Sequence, residues 1–300
     1  MARRTSRDSE RERLGDEPLI DPDRIERPAF ALFERYASYE GPPHKHGKGQ
    51  LVYVSEGVLR VETEVGTWVV LPQRGVWVPP ELVHRGRSRR GFALCTLYVD
   101  AHHAKALPKR CCTVTITPLV RELLLQCARF GWHYPTTGPR MRLVSVLIEQ
   151  IATLPQAPLH LPEPKDRRLR AIAAALHADP ASNDTLDQWA SRVGASRRTL
   201  ARLFVKETDL TFALWRQQLR LLAALEELAH GQSVTAAALG AGYQDTSAFI
   251  SMFRRALGMT PGRYFDREGM PTTAAEPSFS NRPTASLAHT HGDSRVGRLD

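Results

Sequence analysis

One pattern of small and apolar residues occurs twice between residues 186 and 264. In the first copy Ala190 is followed four residues later by Gly194, and 48 residues further on Ala238 and Gly242 repeat the pair. A helix-turn-helix needs a small residue where its two helices cross and a residue that accepts a positive φ in the turn between them. The repeat therefore predicts two helix-turn-helix units. The alternative is an all-helical bundle whose repeat reflects only packing.

The second helix of each predicted unit has one apolar face. Leu200 and Phe204 lie four residues apart in the first unit, and Phe249 and Phe253 lie four apart in the second. Residues four apart share a helix face, so these side chains fix the helix to the core and leave its other face free for a DNA groove. The helix predicted over residues 211–229 would join the units across about 28 Å, which approaches the roughly 34 Å of one B-DNA turn.

This region resembles the AraC-type transcriptional regulators over residues 165–267. The resemblance is carried by residues 195–204, 211–216, 240–243, 247–249, 253–255 and the closing Gly258-Met259-Thr260-Pro261-Gly262-Arg263-Tyr264. It implies binding to a double-stranded DNA operator, and contact with RNA polymerase if the protein is an activator. The sequence departs from the family at Asp209, where a glycine usually follows the first recognition helix. Because aspartate takes the left-handed conformation less readily, we expect that helix to end differently here.

The free faces of the two second helices supply the candidate DNA contacts. Arg198 and Arg202 lie four apart, so both can enter a major groove and pair with guanine O6 and N7; the alternative is that they contact only phosphates. The second unit has short polar and apolar side chains on the corresponding face, and we expect it to discriminate bases less strongly. The complete set is Ser196 (also the helix cap), Arg197, Arg198, Thr199, Ala201, Arg202, Thr246, Ser247, Ile250, Ser251, Arg254, Thr260 and Arg263.

The N-terminal half has a different pattern, in which short apolar runs are separated by turns. The runs cover residues 51–54, 58–61, 68–71, 76–78 and 92–99, and turn residues such as Glu56-Gly57 and Pro79-Pro80 separate them. Many short strands at near-regular spacing are typical of a small antiparallel barrel or sandwich. A barrel of this size has an interior that holds one small ligand.

Histidines form a candidate site in this barrel. His44 and His46 alternate and therefore share one face of a strand, and His84 from another strand can complete a site with them. The arrangement resembles the two short motifs of the cupin fold, as used in the sensor domains of many AraC-type regulators. Two features depart from those motifs, since the usual glutamate is Gln50 and Gly41 is too close to serve as the preceding glycine.

Two hypotheses for this site remain open. In the first, a divalent metal is bound by His44, His46 and His84, with or without Gln50, although a neutral amide holds a hard or borderline cation less well than a carboxylate does. In the second, the same four residues form a metal-free pocket that orients an organic effector. His102 and His103 follow the last strand and are expected at the surface.

The remaining segments give the domain organisation. Residues 117–153 have apolar residues at spacings of three and four around a break at 131–139, which predicts a helical hairpin that covers the barrel, forms a homodimer seam, or does both. The fold class is thus α+β with two domains, a cupin-like antiparallel β-barrel with a helical hairpin and an all-α double helix-turn-helix. The expected boundaries are a disordered tail at 1–25, the sensor barrel at 26–105, the hairpin at 106–154, a Pro-rich semi-rigid linker at 155–165, the DNA-binding domain at 166–267 and a disordered tail at 268–300.

Charge and cysteine content limit the function classes. The net charge of +9 suggests a polyanionic partner, but both halves carry positive charge, so charge alone does not locate a DNA site. The four cysteines have no C-x-x-C spacing, which argues against structural zinc. No apolar run reaches the roughly 18 residues of a membrane helix, and no signal peptide is visible, so we expect a cytoplasmic protein with free thiols.

Two functions compete for this organisation. A sequence-specific transcription regulator whose barrel senses a small-molecule effector accounts for the doubled unit, the linker and the ligand-sized barrel together. A metal-dependent cupin enzyme, such as a dioxygenase or isomerase, accounts only for the histidines and leaves the C-terminal third without a role. We therefore expect a regulator and no catalytic residues.

Overall fold

The computed structural model describes residues 20–157 and 160–265. It consists of an N-terminal part made of two antiparallel sheets with a helical hairpin, followed by a C-terminal part that is entirely helical. The predicted α+β two-domain fold class is confirmed. The tail expected at 268–300, and residues 1–19 of the tail expected at 1–25, lie outside the described residues.

Two sheets form the N-terminal part. The first contains six strands in the order β1-β8-β3-β6-β9-β10 and the second five strands in the order β11-β5-β4-β7-β2. Within the described residues the two sheets share no strand, so the barrel is open rather than closed. The strands are β1 Ala29–Tyr36, β2 Tyr39–Glu40, β3 Gly49–Glu56, β4 Leu59–Thr63, β5 Gly66–Val70, β6 Arg74–Val78, β7 His84–Ser88, β8 Phe92–Val99, β9 Cys112–Thr115, β10 Gln156–Ala157 and β11 His160–Pro162.

Strand β3 shows why the six-stranded sheet is apolar on both faces. Val52 and Val54 point into the core between the two sheets, whereas Leu51 and Tyr53 belong to a second core on the other side. Successive side chains of a strand point to opposite faces, so a continuous apolar run is required where both faces are covered.

The hairpin covers the outer face of the six-stranded sheet. Its helices are α1 Pro118–Phe130 and α2 Pro139–Ala152, and α1 lies on β1 and β8. Thr117 caps α1 by accepting a hydrogen bond from Val120 N, and the helix ends at Gly131, whose φ is 52°. The helical hairpin predicted over residues 117–153 is therefore confirmed. Its buried residues include Val120, Leu123, Leu124, Cys127, Val144, Leu147 and Ile151.

The C-terminal part contains the two predicted helix-turn-helix units. Helices α4 and α5 form the first unit, α7 and α8 form the second, and α6 joins them; Ala190 and Ala238 are buried as expected. Leu200, Phe204, Phe249 and Phe253 are fully buried. The helices are α3 Arg167–Ala178, α4 Leu186–Val193, α5 Arg197–Thr208, α6 Phe212–Ala229, α7 Val234–Gly240, α8 Thr246–Leu257 and α9 Pro261–Phe265.

The end of α5 differs from the expectation drawn from Asp209. This residue takes the left-handed conformation, with φ 56° and ψ 12°, and its N–H donates to Val205 O. The helix therefore ends with the backbone geometry that a glycine would give, and the expectation of a different ending is wrong. Aspartate tolerates this region better than most residues because its short polar side chain can form local hydrogen bonds.

The two parts of the chain are in direct contact, which corrects the idea of a separating linker. The segment predicted as a linker contributes β10 to one sheet and β11 to the other. Leu161 of β11 lies in one buried cluster with Leu219 and Leu222 of α6, and Trp215 Nε1 donates to Pro162 O at 2.8 Å. The layers are therefore the hairpin, the six-stranded sheet, the five-stranded sheet and the DNA-binding helices, in that order.

Substitution of the two turn glycines should separate backbone conformation from crowding. Gly194 and Gly242 have φ of 65° and 81°, but an added Cβ meets nothing within 4 Å at Gly194, whereas at Gly242 it would lie 2.8 Å from Ala181 Cα. We expect Gly194→Ala to lower the free energy of unfolding by about 1 to 2 kcal/mol. Gly242→Ala should lower it further because the backbone of Ala181 has to move. Urea unfolding of both variants measures this, and equal losses would contradict the crowding argument.

Candidate DNA interface and effector site

Helix α5 presents the predicted face of the first unit to solvent. Ser196 caps the helix by accepting a hydrogen bond from Thr199 N at 3.1 Å, and the two hydroxyl oxygens lie 2.9 Å apart. Leu200 is buried on the opposite side. The remaining predicted residues, Arg197, Arg198, Ala201 and Arg202, are exposed. The structure thus brings the whole predicted set of the first unit onto one helix, next to its capped N-terminus.

The arginines of this face differ in their surroundings. Arg197 lies 3.5 Å from Asp187, but both side chains are largely exposed, and such pairs contribute little. Within residues 20–157 and 160–265, the side chains of Arg198 and Arg202 form no ion pair or hydrogen bond. Both guanidinium groups are therefore free to take a bidentate partner, and four residues of helix separate them by about 6 Å along the axis.

Helix α8 presents a different surface. Asp245 caps it by accepting hydrogen bonds from Ser247 N and Ala248 N. Ser247 and Ser251 are exposed, whereas Thr246 is half-buried and Ile250 packs partly into the core of the DNA-binding domain. The exposed face of this helix is thus made of short side chains, with an acidic group at its start. Arg254, Thr260 and Arg263 are exposed at its end and just beyond it.

Two exposed residues near α8 were absent from the sequence-based set. Gln244 precedes the cap, and Arg255 follows Arg254. Glutamine can bind adenine N6 and N7 in a bidentate manner, and arginine can bind phosphate. Gln244 lies before the first residue of α8 and outside its helical periodicity, so the spacing of the helix does not predict it. A long polar side chain directly before a helix cap is the sequence signal that marks it.

Three histidines meet at one end of the core between the sheets. His44 and His84 face each other across an antiparallel bridge, in which each backbone N–H donates to the other's carbonyl at 2.9 Å. Their ring centroids are 4.4 Å apart, and the ring of His46 lies 5.1 Å from that of His84. One ring nitrogen from each histidine lies within 4.8 Å of the others. The predicted grouping of the three residues is therefore present.

Backbone carbonyls orient all three imidazole rings. The Nδ1 atoms of His44, His46 and His84 lie 3.1, 2.7 and 2.8 Å from the carbonyl oxygens of Pro42, Lys48 and Leu82. A neutral imidazole that donates from Nδ1 keeps its lone pair on Nε2. Because burial lowers the pKa of His84 to about 4 and also lowers that of His46, these two rings are neutral near pH 7.

Gln50 and Tyr98 extend this polar cluster. Gln50 Oε1 lies 3.4 Å from His46 Nε2, and Gln50 Nε2 donates to Tyr98 Oη at 3.4 Å. Tyr98 was not in the sequence-based set, because a tyrosine within an apolar strand reads as core. Burial raises the pKa of Tyr98 well above its usual range, so its hydroxyl stays protonated. His102 and His103 are exposed, as predicted.

Comparison with known proteins decides the family. Residues 28–122 match the family described as "AraC-like ligand binding domain", and residues 189–267 match the family described as "Helix-turn-helix domain". The chain is 38% identical over 249 residues to the HTH-type transcriptional regulator NimR of Escherichia coli (strain K12), which covers 82% of this chain and 91% of NimR. The chain belongs to the AraC family of transcriptional regulators.

Two further matches are weaker. The HTH-type transcriptional regulator RipA of Corynebacterium glutamicum is 34% identical over 136 residues, which cover 45% of this chain and 40% of RipA. The crystal structure of ToxT from Vibrio cholerae covers 79% of this chain at 10% identity with a TM-score of 0.34, too loose a match for a comparison of residues.

This AraC-family regulator therefore has an N-terminal ligand-binding domain that senses a small molecule and a C-terminal domain that binds DNA. The function predicted from the doubled unit and the barrel is confirmed. No helix in the described part of the chain is long and apolar enough to cross a membrane.

The difference between α5 and α8 should be visible in the DNA that this regulator selects. We expect selection from a random DNA pool with the full chain, followed by footprinting, to give one well-defined half-site and one degenerate half-site. The reason is that α5 carries two exposed arginines of the kind that can bind guanine in a major groove, whereas the exposed face of α8 has short side chains behind an acidic cap. Equal sequence information in both halves would contradict this expectation.

Proposed function

We propose that this regulator reads its operator with the exposed faces of α5 and α8. The observation that carries the proposal is that Arg198 and Arg202 are exposed, four residues apart and free of partners in the described chain, on a helix whose other face is fully buried. In this proposal Ser196, Arg197, Thr199 and Ala201 complete the first contact surface. Thr246, Ser247, Ile250 and Ser251 form the second, and Arg254, Thr260 and Arg263 hold phosphates.

Replacement of Arg202 by alanine tests this assignment. We expect Arg202→Ala to cost about 1 to 3 kcal/mol in binding to the selected operator and to relax the preference at one base position, because a bidentate contact to guanine is lost. Binding of the full chain to the operator and to each single-base variant measures both effects.

Arg255→Ala is a matched control for that experiment. It removes an exposed arginine of α8 that is assigned no base, and it should weaken all sequences by a similar factor. If Arg202→Ala also weakens every sequence equally, Arg202 contacts a phosphate and the proposed base contact is wrong.

We further propose that the effector binds in the pocket formed by His44, His46, Gln50 and His84. Support comes from the burial of His46, Gln50 and His84 at one end of an otherwise apolar core. Buried polar side chains that lack hydrogen-bond partners lower stability, and a bound ligand can supply those partners. A metal-dependent cupin enzyme could use the same histidines but would give no role to the paired DNA-binding units. We therefore propose a regulator without catalytic activity.

We propose that the contact between the two domains carries the effector signal from these residues to the DNA-binding helices. His84 begins β7, which pairs with β4, and Thr63 of β4 lies opposite His84. On the outer face of β4, Arg60 Nη2 donates to Glu226 Oε2 of α6 at 2.8 Å. Effector binding that shifts β7 and β4 would change the contact with α6. Because α6 joins the two helix-turn-helix units, this would change the position of both units and their affinity for DNA.

The helical hairpin lies outside this proposed route. The hairpin lies on the six-stranded sheet, and the DNA-binding helices lie on the five-stranded one. We propose that two copies of the chain form a homodimer through this hairpin, because Leu119 and Val146 on its surface are 53% and 40% exposed. RNA polymerase is a proposed partner if the regulator is an activator.

A double-mutant cycle tests the route through α6. We expect Arg60→Ala and Glu226→Ala to show a coupling of about 1 to 3 kcal/mol in the free energy of unfolding, because their ion pair is largely shielded from solvent. Each single variant should also change operator affinity by roughly fivefold or more, since the docked arrangement is altered.

The pair Arg35 and Glu56 provides the control for this cycle. It lies within the sensor part and is more exposed, so it should show a smaller coupling and leave operator affinity unchanged. If Arg60→Ala and Glu226→Ala also leave operator affinity unchanged, the contact between the domains only stabilises the fold.

A further inference from the structure

We propose that His44, His46 and His84 bind one divalent transition-metal ion, and that this ion keeps a position open for a donor atom of the effector. The proposed metal site is argued from the geometry of the three rings alone. The role of the open position rests on the proposed effector pocket.

The orientation of the rings is the first argument. Each Nδ1 lies within hydrogen-bond distance of a backbone carbonyl, which leaves the lone pair of each Nε2 for another partner. Histidine ligands of metal ions have this arrangement, in which one ring nitrogen is held by a carbonyl or carboxylate and the other binds the metal. All three histidine rings of this cluster have that arrangement.

An unsatisfied buried atom is the second argument. Nε2 of His84 is inaccessible to solvent and has no hydrogen-bond partner in the described structure, and the residue is only 4% exposed. His46 Nε2 has only Gln50 Oε1 at 3.4 Å, which is long for a hydrogen bond. Two buried lone pairs thus lie in one pocket without a good donor, and a cation bound between them would satisfy both.

The backbone holds the three ligands close to a bonding geometry. His44 and His84 are fixed by their shared bridge, and the carbonyl of His46 accepts a hydrogen bond from Glu81 N at 2.9 Å. One nitrogen of each ring lies within 4.8 Å of the others. Tetrahedral zinc with bonds of about 2.0 to 2.1 Å needs roughly 3.3 Å between nitrogens, so small rotations of the rings are enough to bring the ligands together.

The donor set determines the class of metal. Three neutral imidazoles suit zinc, cobalt, nickel or copper and do not suit calcium or magnesium, which take oxygen ligands. The nearest carboxylates have other partners, since Asp23 accepts from Gly47 N and Glu81 pairs with Lys45. Among the residues that the structure describes, no carboxylate belongs to the histidine cluster, so none offsets the charge of the ion. An anionic oxygen or sulfur donor of a small effector is the chemistry that the open position would attract.

Metal titration of the full chain tests the proposal. After treatment with a chelator, we expect the protein to bind one Zn²⁺ per chain in calorimetry and elemental analysis. His44→Ala should weaken this binding by roughly 100-fold or more, because loss of a ligand exceeds the effect of losing a residue that only orients one. His44 is exposed, so this variant should fold. His46→Ala and His84→Ala should behave in the same way where they fold.

His103→Ala is the matched control. His102 and His103 form an exposed pair with ring centroids 5.5 Å apart, and they test whether surface histidines account for the metal. Zn²⁺ should raise the melting temperature of the wild type and of His103→Ala and should leave that of His44→Ala unchanged. Absence of stoichiometric binding, or binding that survives His44→Ala, would overturn the metal site.

Cobalt gives a direct view of the coordination. Bound Co²⁺ should show the intense visible absorption of a four-coordinate ion, and azide, used as a small anionic probe, should change that spectrum. An unchanged spectrum would overturn the open position. Selection of DNA from a random pool by the metal-free chain is a separate measurement. If the chain selects an operator but binds no metal, only the metal site is refuted. If it binds metal but selects no operator, the proposed DNA contacts are refuted.

Discussion

Helix α6 is the element around which the C-terminal part of the molecule is packed, and it is buried on more than one side. At 100° per residue its buried residues spread over about two thirds of the helix circumference, which is wider than a single apolar stripe. They are Phe212, Trp215, Leu219, Leu221, Leu222, Ala224, Leu225 and Leu228. One side packs in the DNA-binding core, where Trp215 is fully buried, and another meets β11 of the sensor part. The helix is thus both the spacer between the two DNA-binding units and the element by which they rest on the ligand-binding domain.

The core between the two sheets contains apolar side chains that stabilise the fold and, at one end, buried polar side chains that do not. Valines at positions 52, 54, 76 and 78 fill most of it, and their packing stabilises the sandwich. At one end His46, Gln50 and His84 are buried in the same layer. An unsatisfied buried polar atom costs about 1 to 3 kcal/mol, so this end of the core lowers stability unless a ligand is present. The proposed binding of an effector or a metal ion would account for this composition, whereas the stability of the fold does not.

The elements that the sequence predicted correctly are those whose pattern depends on local periodicity. The helix-turn-helix units could be read from Ala190, Gly194 and their repeats, because crossing angle and turn conformation each demand a residue type. The hairpin could be read from its spacings of three and four. In the site, the alternation of His44 and His46 placed both rings on one face, and the cluster with His84 followed from the barrel.

The elements that the sequence missed are those defined by distant partners. Strand β7 reads His84-Arg85-Gly86-Arg87-Ser88 and has no apolar residue, so only its pairing with β4 and β2 makes it a strand. Strand β11 contains Pro162, which reads as a linker, yet β11 lies at the edge of its sheet, where proline is tolerated. The contact of α6 with β11 of the sensor part was hidden for the same reason.

The order of the layers has a geometric consequence for the promoter. In a homodimer joined through the hairpins, the two DNA-binding domains would lie at opposite ends of a stack of hairpins and sheets. With about 10 Å per layer, the two α6 helices would be roughly 70 Å apart, a span of about 20 base pairs. Because the two DNA-binding units of one subunit already span about one helical turn, subunits on adjacent sites would be centred roughly two turns apart, which the docked arrangement allows. Closer sites would require the DNA-binding domains to leave the five-stranded sheet. Half-site spacing on the DNA would therefore report whether the domains are docked or released.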